Sequence, residues 1–434
     1  MALLEGNPSA ANRFAGEWIH PPGVRALEQL GVDIQQLASC KGYGFALFGD
    51  DGGDPVCLPY AGGVALSRHH AELVNHLREQ AKAQPQVTYL PHHFVHALEQ
   101  RDPGCVAVMA ENRARASQAL LRAERVIGAD GRSSKVRACL DLDGVGSDLI
   151  SYMAGVELRD VRLPFEGMGH VFLGGPGPAM FYRIDEHTVR ACLDVPQTLP
   201  AEVRRKEALY GAFEPVLPEQ LRPAFQRALS QRFTWAATRV KRREAFGRGR
   251  VWLVGDAVGH VHPISGVGMT LGILDAVAAA EAQDLSQYRR QRQLYVTELL
   301  AKCLYFAFVG ADPSAARVRH GLLEMLRRDP TERIRTMQIL TGERHRGVSF
   351  ARSFLRASGR VVLSGVERTA MQQQSLDEWT SQLRQDLHWL AWPLNACLGP
   401  AARLRAPVGW SGPAFARSFL PLRTPSSRPK RAIQ

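Results

Sequence analysis

The 434 residues are 45% hydrophobic and 22% charged, enough apolar material for a core in two or three domains and too much for wholesale disorder. No apolar run reaches the roughly 18 residues of a spanning helix, and no basic segment followed by an apolar core opens the chain. Seven cysteines without CxxC or CxxH spacing predict reduced thiols, no zinc site and a cytoplasmic protein. The net charge of +12 gathers toward the C-terminus; with no recognisable binding module it reads as basic composition, and no nucleic-acid partner is expected.

In chain order, Met1–Glu5 reads as the tail of a buried strand, and Asn7-Pro8-Ser9 as a turn. Pro21-Pro22-Gly23 opens a helix with Val24, Leu27 and Leu30 at helical spacing, and a second helix spans about Arg68–Ala83. Val87–Leu90, Phe94–Leu98, Val106–Ala110 and Arg125–Ile127 predict a small meander of strands. Tyr152–Leu158, Gly169–Leu173, Ala179–Ile184 and Val189–Val195 predict an antiparallel sheet, and Pro200–Leu229 is helical text. Arg250–Gly255 is a buried parallel-type strand, followed by a glycine-rich loop and an apolar helix over about Gly266–Ala282. The remainder is mostly helical, and no internal repeat is present.

Three motifs carry chemistry. In Gly255-Asp256-Ala257…Pro263-Ile264-Ser265-Gly266-Val267-Gly268-Met269-Thr270, a hydrophobic strand ends in Gly-Asp. The aspartate can accept from a sugar hydroxyl, the glycines let backbone approach a planar or anionic ligand, and a helix starts there with free N–H groups. Gly128-Ala129-Asp130-Gly131-Arg132-Ser133-Ser134-Lys135-Val136-Arg137 is a second turn motif after a strand, about 125 residues earlier. Arg13-Phe14-Ala15-Gly16-Glu17 places an arginine near a helix entrance, where it can pair with a pyrophosphate.

These motifs, in this order, resemble the group A flavoprotein monooxygenases, the family of p-hydroxybenzoate hydroxylase. Within it, His262-Pro263, Gly268-Met269-Thr270, Gly42-Tyr43 and Leu163-Pro164 are similar to the squalene epoxidase and ubiquinone-biosynthesis hydroxylase branch. The resemblance covers about residues 1–310. It implies an α/β fold: a parallel, Rossmann-like FAD-binding sheet with a β-meander, an interleaved antiparallel substrate sheet and a helical C-terminal region. The implied domains are 1–147 with 245–290 for FAD, 148–244 for substrate, and 291–434 for the helices and basic tail.

The same resemblance implies FAD as cofactor, NAD(P)H as co-substrate, and Gly255 and Asp256 on the ribityl or phosphate side of FAD. Pro263, Gly266, Gly268 and Met269 then lie along the isoalloxazine. The Asp130-Gly131 turn supports FAD and the passage of NAD(P)H, Arg13 meets the flavin chain, and Glu5 binds the adenosine ribose. A small lipophilic substrate (terpenoid, prenylated or aromatic) and O2 would meet in an apolar pocket lined by Phe172, Met180 and Tyr182. No catalytic side chain stands out. His260 and His262 lack a third ligand at suitable spacing, so no metal is expected. No Trp-x-Trp-x-Ile-Pro segment is present, which argues against a flavin halogenase.

The chain departs from the family in having Gly259 where most members carry histidine, and His69-His70 where an arginine is usual. It also departs at its start: a GxGxxG loop would lie roughly 30 residues before Glu5. Ala2–Glu5 reads as strand interior, so the expectation is a functional protein that begins upstream of Met1. The chain alone would then be poorly soluble or purify without yellow colour. The alternative is a degenerate flavoprotein that binds a lipophilic ligand or has lost its role. Trp389–Leu394 reads as a core helix end, with an interfacial membrane anchor as the alternative, and Ser426–Arg431 as a disordered basic end.

Overall fold

The computed structural model describes residues 1–386 apart from 12, 38, 103, 144–145, 293–294, 311–312, 345–346, 372–374 and 385. Trp389–Leu394 and the basic end lie outside the described residues. Strand β1 (Ala2–Glu5) leads to β2 (Trp18–Ile19) and helix α1 (Pro21–Gln29), which Pro21 and Pro22 open. A short α2 (Ile34–Leu37) precedes β3 (Cys40–Gly42), β4 (Gly44–Phe48), β5 (Val56–Pro59) and β6 (Ala65–Ser67). After α3 (His70–Lys82) come β7 (Thr88–Pro91), β8 (His93–Asp102), β9 (Cys105–Asn112), β10 (Ser117–Ala123), β11 (Val126–Gly128) and α4 (Lys135–Cys139). The middle of the chain holds β12 (Asp148–Arg159), β13 (Met168–Phe172), β14 (Ala179–Arg183), β15 (Thr188–Pro196), α5 (Lys206–Phe213) and α6 (Arg222–Ser230). Then follow β16 (Thr234–Val240), β17 (Gly247–Arg248), β18 (Val251–Leu253) and α7 (Gly268–Glu281). The C-terminal helices are α8 (Leu285–Arg292), α9 (Tyr295–Val309), α10 (Pro313–Arg328), α11 (Pro330–Leu340) and α12 (Gly347–Ala370). Among the described residues no single helix is long and apolar enough to cross a membrane.

Outside the large sheet, the parallel pairs among the described residues form two pieces, β1 with β7 and β11 with β18. The meander is β8-β9-β10: the expected segment Val87–Leu90 falls in β7, which pairs with β1, and the last strand is Ser117–Ala123 rather than Arg125–Ile127. The latter stretch pairs with β18 instead, because its apolar residues are needed in the buried parallel piece. The expected helix over Pro200–Leu229 is two helices joined by 3-10 turns, because Pro215 and Pro218 cannot continue the hydrogen-bond ladder.

The large sheet has seven strands in the order β16-β12-β15-β14-β13-β4-β5. Residues 44–59 therefore join the sheet built mainly by 148–240, across the boundary drawn at 147. Side chains alternate between its faces. Leu158, Phe172, Phe181, Ala191 and Leu193 pack against α5 and α6 through Leu209, Phe213 and Phe225. Met153, Val171, Met180 and Cys192 face the other way, onto Ile264 and the helices α9–α11.

Candidate functional site

β11 and β18 are adjacent and parallel, with Gly128 opposite Leu253 and the Val254 amide donating to the Gly128 carbonyl at 3.0 Å. Both motif loops thus leave the same sheet edge. With strands about 4.8 Å apart and each aspartate within three residues of its strand end, Asp130 and Asp256 fall inside the reach of one dinucleotide.

Their roles differ. Asp130 accepts from Ser134 Oγ at 2.5 Å and from the Lys135 and Val136 amides at 2.6 and 3.0 Å, so its carboxylate anchors the first turn of α4. Gly131, at φ +79°, completes the turn. Arg137, buried on α4, links the two loops: it donates to the Arg132 carbonyl at 2.8 Å and to the Ala257 carbonyl at 2.9 Å. It stands in the second motif, yet the spacing carried no sign of this role.

The Gly255 turn, at φ +62°, is held from below by Asp275. That fully buried carboxylate accepts from the Gly255 amide at 2.9 Å, from Arg292 Nε at 2.7 Å and from Arg243. Arg243 in turn donates to the carbonyls of Gly255 and Gly259, both at 3.0 Å. Asp256 itself accepts no hydrogen bond from the described residues. Burial pushes its carboxyl above the ordinary range, while Arg132, Arg243 and Arg13 pull it back. Side chains from all three motifs therefore surround Asp256.

The remaining motif residues form an open edge. Pro263 and Gly268 are exposed, and nothing lies within 4 Å of where a Cβ at Gly268 would sit. Gly266 takes φ +62°, and a Cβ there would meet His20 Nε2 at 3.4 Å, so helix α7 starts at Gly268 and not at Gly266. A Cβ on Gly16 would meet Met269 at 3.1 Å, which lays the Arg13–Gly16 loop against the start of α7.

Beneath the edge runs a one-way chain of hydrogen bonds. Trp18 Nε1 donates to Tyr60 Oη at 2.9 Å, Tyr60 donates to His20 Nδ1 at 2.7 Å, and His20 Nε2 donates to the Ser265 carbonyl at 2.9 Å. A carbonyl only accepts, so Ser265 fixes the proton of the neutral ring on His20 Nε2, and Nδ1 is left to accept from Tyr60. Burial lowers the His20 pKa to about 4, leaving it neutral. No spacing or motif marked Tyr60 and His20 as partners, 40 residues apart.

Two expected residues lie elsewhere. Glu5, at the end of β1, accepts the Asn7 amide at 3.2 Å and pairs with Arg78 of α3 at 3.6 Å, with no described contact to the Asp256 cluster. Phe172 is not a pocket residue. In register, Phe172 faces Ala179 and Val171 faces Met180, so Phe172 packs on the α5–α6 side. Met180 and Tyr182 belong to the opposite face, where Tyr182 Oη lies 3.3 Å from the buried Glu17. Glu17 is held by a two-pronged ion pair to Arg190, at 2.7 and 2.8 Å. The apolar cluster on this face includes Ile264 and extends through Leu304 and Met325 to an apolar cavity among α9–α12, also lined by Leu300, Leu322, Ile339 and Phe354. His260 is buried with both ring nitrogens lacking a partner among the described residues, and burial, with Arg132 beside it, lowers its pKa to about 4.

A profile of the squalene epoxidase family matches residues 122–377. The chain belongs to the squalene epoxidase family. As such it is 25% identical over 348 residues to squalene monooxygenase of Mus musculus, covering 74% of this chain and 59% of that protein. It is 28% identical over 378 residues to a squalene epoxidase of Aspergillus fumigatus, covering 74% and 72%. The chain thus spans about three fifths of the length of the first of these relatives. Its fold is shared with the crystal structure of p-nitrophenol 4-monooxygenase from Pseudomonas putida: TM-score 0.62, 23% identity, and 79% and 92% of the two chains covered.

Proposed function

We propose that this family member is an FAD-dependent monooxygenase that places one atom of O2 on a lipophilic terpenoid, prenylated or aromatic substrate with NAD(P)H as reductant. The observation that carries the reading is the junction of two surfaces at one loop. On one side, Pro263, Gly268 and Met269 with Asp256 make an open, glycine-bounded edge at the start of a 14-residue helix. On the other, Ile264 of the same loop is buried in the apolar cluster that reaches the cavity among α9–α12.

The residues fit the cofactor. A planar ring needs an edge without side chains, which the open space at Gly268 supplies. The free N–H groups at the start of α7 favour negative charge on the ligand. Asp256, with no donor among the described residues, is available to a ribityl hydroxyl. Bound there, FAD would supply electron transfer from NAD(P)H and activation of O2. The protein's own part is shape, orientation and dryness. His20 and Asp275 fix the two ends of the loop, and the apolar cluster excludes water from the reacting face.

The test is to incubate the chain with FAD, NAD(P)H, 18O2 and a panel of terpenoid, prenylated and aromatic lipids. One 18O atom in a product is expected; NAD(P)H-dependent turnover without oxygenated product from any of them refutes the reading.

A further inference from the structure

Asp194 on β15 is a fully buried carboxylate on the apolar face of the large sheet, and no lysine or arginine pairs with it among the described residues. Burying such a group without a cation is costly, so the groups around it need a reason. Ser151 Oγ donates to its Oδ2 at 2.6 Å, Tyr305 Oη donates to its Oδ1 at 3.0 Å, and His262 Nε2 lies 3.4 Å from Oδ2. His262 Nδ1 accepts the Ile264 amide at 3.2 Å, which places a proton on Nε2, between Asp194 Oδ2 and Ser151 Oγ, the latter 3.5 Å away. The His262 and Tyr305 rings are in contact, with centroids 3.9 Å apart and planes tilted by 30°. His262 is also the cap of the Pro263–Ser265 turn.

We propose that Asp194, held by Ser151 and Tyr305, is a positioning residue for His262 and, through it, for the Pro263–Gly268 edge. A carboxylate facing Nε2 fixes the tautomer, and the fixed tautomer keeps Nδ1 an acceptor for the Ile264 amide. Tyr305 stands on α9, whose neighbouring Leu304 lines the apolar cavity, so the cavity wall and the edge share one hydrogen-bonded unit. The proposal rests on the ring-binding reading of that edge; its geometric half does not.

The experiment is amide hydrogen exchange on the full 434-residue chain, native, Asp194→Asn and Tyr305→Phe, with FAD titrations alongside. Tyr305→Phe keeps the ring against His262 and removes only one donor. Exchange across 262–268 should quicken by about tenfold or more in Asp194→Asn and by less in Tyr305→Phe, with β8 and β9 unchanged. Both variants should also shift the visible spectrum of bound FAD. Unchanged loop exchange, or an equal rise in every segment, overturns the positioning role. Faster loop exchange with an unaltered flavin spectrum supports that role and overturns the ring-binding reading. If Asp194→Asn does not fold, Tyr305→Phe decides by the same criteria.

Discussion

Replacing Asp275 by asparagine tests how the Gly255 turn is held. The carboxylate is fully buried and faces Arg243 and Arg292, whose side chains are 2% and 9% exposed. The amide preserves shape but removes the negative charge between two guanidinium groups. Its single oxygen cannot serve Arg292, Arg243 and the Gly255 amide together. Glu298 adds some attraction for Arg243, but burial holds its own carboxyl toward the neutral form. Leaving buried charge uncompensated costs about 3–5 kcal/mol, a large part of a typical stability of about 5–15 kcal/mol. Urea unfolding followed by tryptophan fluorescence measures this, since Trp252 is buried and stacked on Tyr288 close to the triad. Arg292→Met alone should also destabilise, and the double variant Asp275→Asn with Arg292→Met should cost less than the sum. A loss below about 1 kcal/mol for Asp275→Asn would refute the argument.

Acidification should destabilise the fold between pH 6.5 and about 4, the window set by His20, His170 and His260, each lowered to about 4 by burial. The unfolded chain binds these protons first, so each histidine removes stability at about 1.4 kcal/mol per pH unit; a flat pH profile for unfolding, or one unchanged in His20→Gln, contradicts this. Met180→Ala should raise KM for the lipophilic substrate with little change in kcat. Phe172→Ala, on the α5–α6 side, should cost about 3–5 kcal/mol in stability and leave KM as it was; the reverse pattern in steady-state kinetics and thermal melts would overturn the assignment of faces.

The Gly-Asp turn and the start of α7 were legible because their residues are dictated locally: Gly255 and Gly266 take positive φ and Pro263 opens a turn. The same holds for the alternation in β12 and β15. Phe172 was misplaced because Val171-Phe172-Leu173 is apolar throughout, which hides the parity of the strand; the buried His170 shares the face of Phe172. The strand Ser117–Ala123 was missed because its side chains are mostly exposed and read as polar text. The hairpin of β4 and β5 around Gly49–Asp54 was not expected, and nothing local says that β4 lies parallel to β13. The chains Trp18–Tyr60–His20–Ser265 and Ser151–Asp194–His262–Tyr305 join residues 40 to 245 positions apart. Only tertiary packing brings such groups together, so no periodicity announces them.

The proposed function requires the Pro263–Met269 edge to receive a flavin ring. Titrating the chain with FAD, up to millimolar concentration and by flavin fluorescence, tests it most directly when Gly268→Leu is run beside the native protein. A side chain at 268 meets nothing within 4 Å of its Cβ, so the variant should fold as well as the native chain while filling the space a ring needs. Saturable quenching is expected in the native chain, and its loss in Gly268→Leu at equal thermal stability. Saturable binding that is indifferent to Gly268→Leu, or no saturable binding at all, would contradict it.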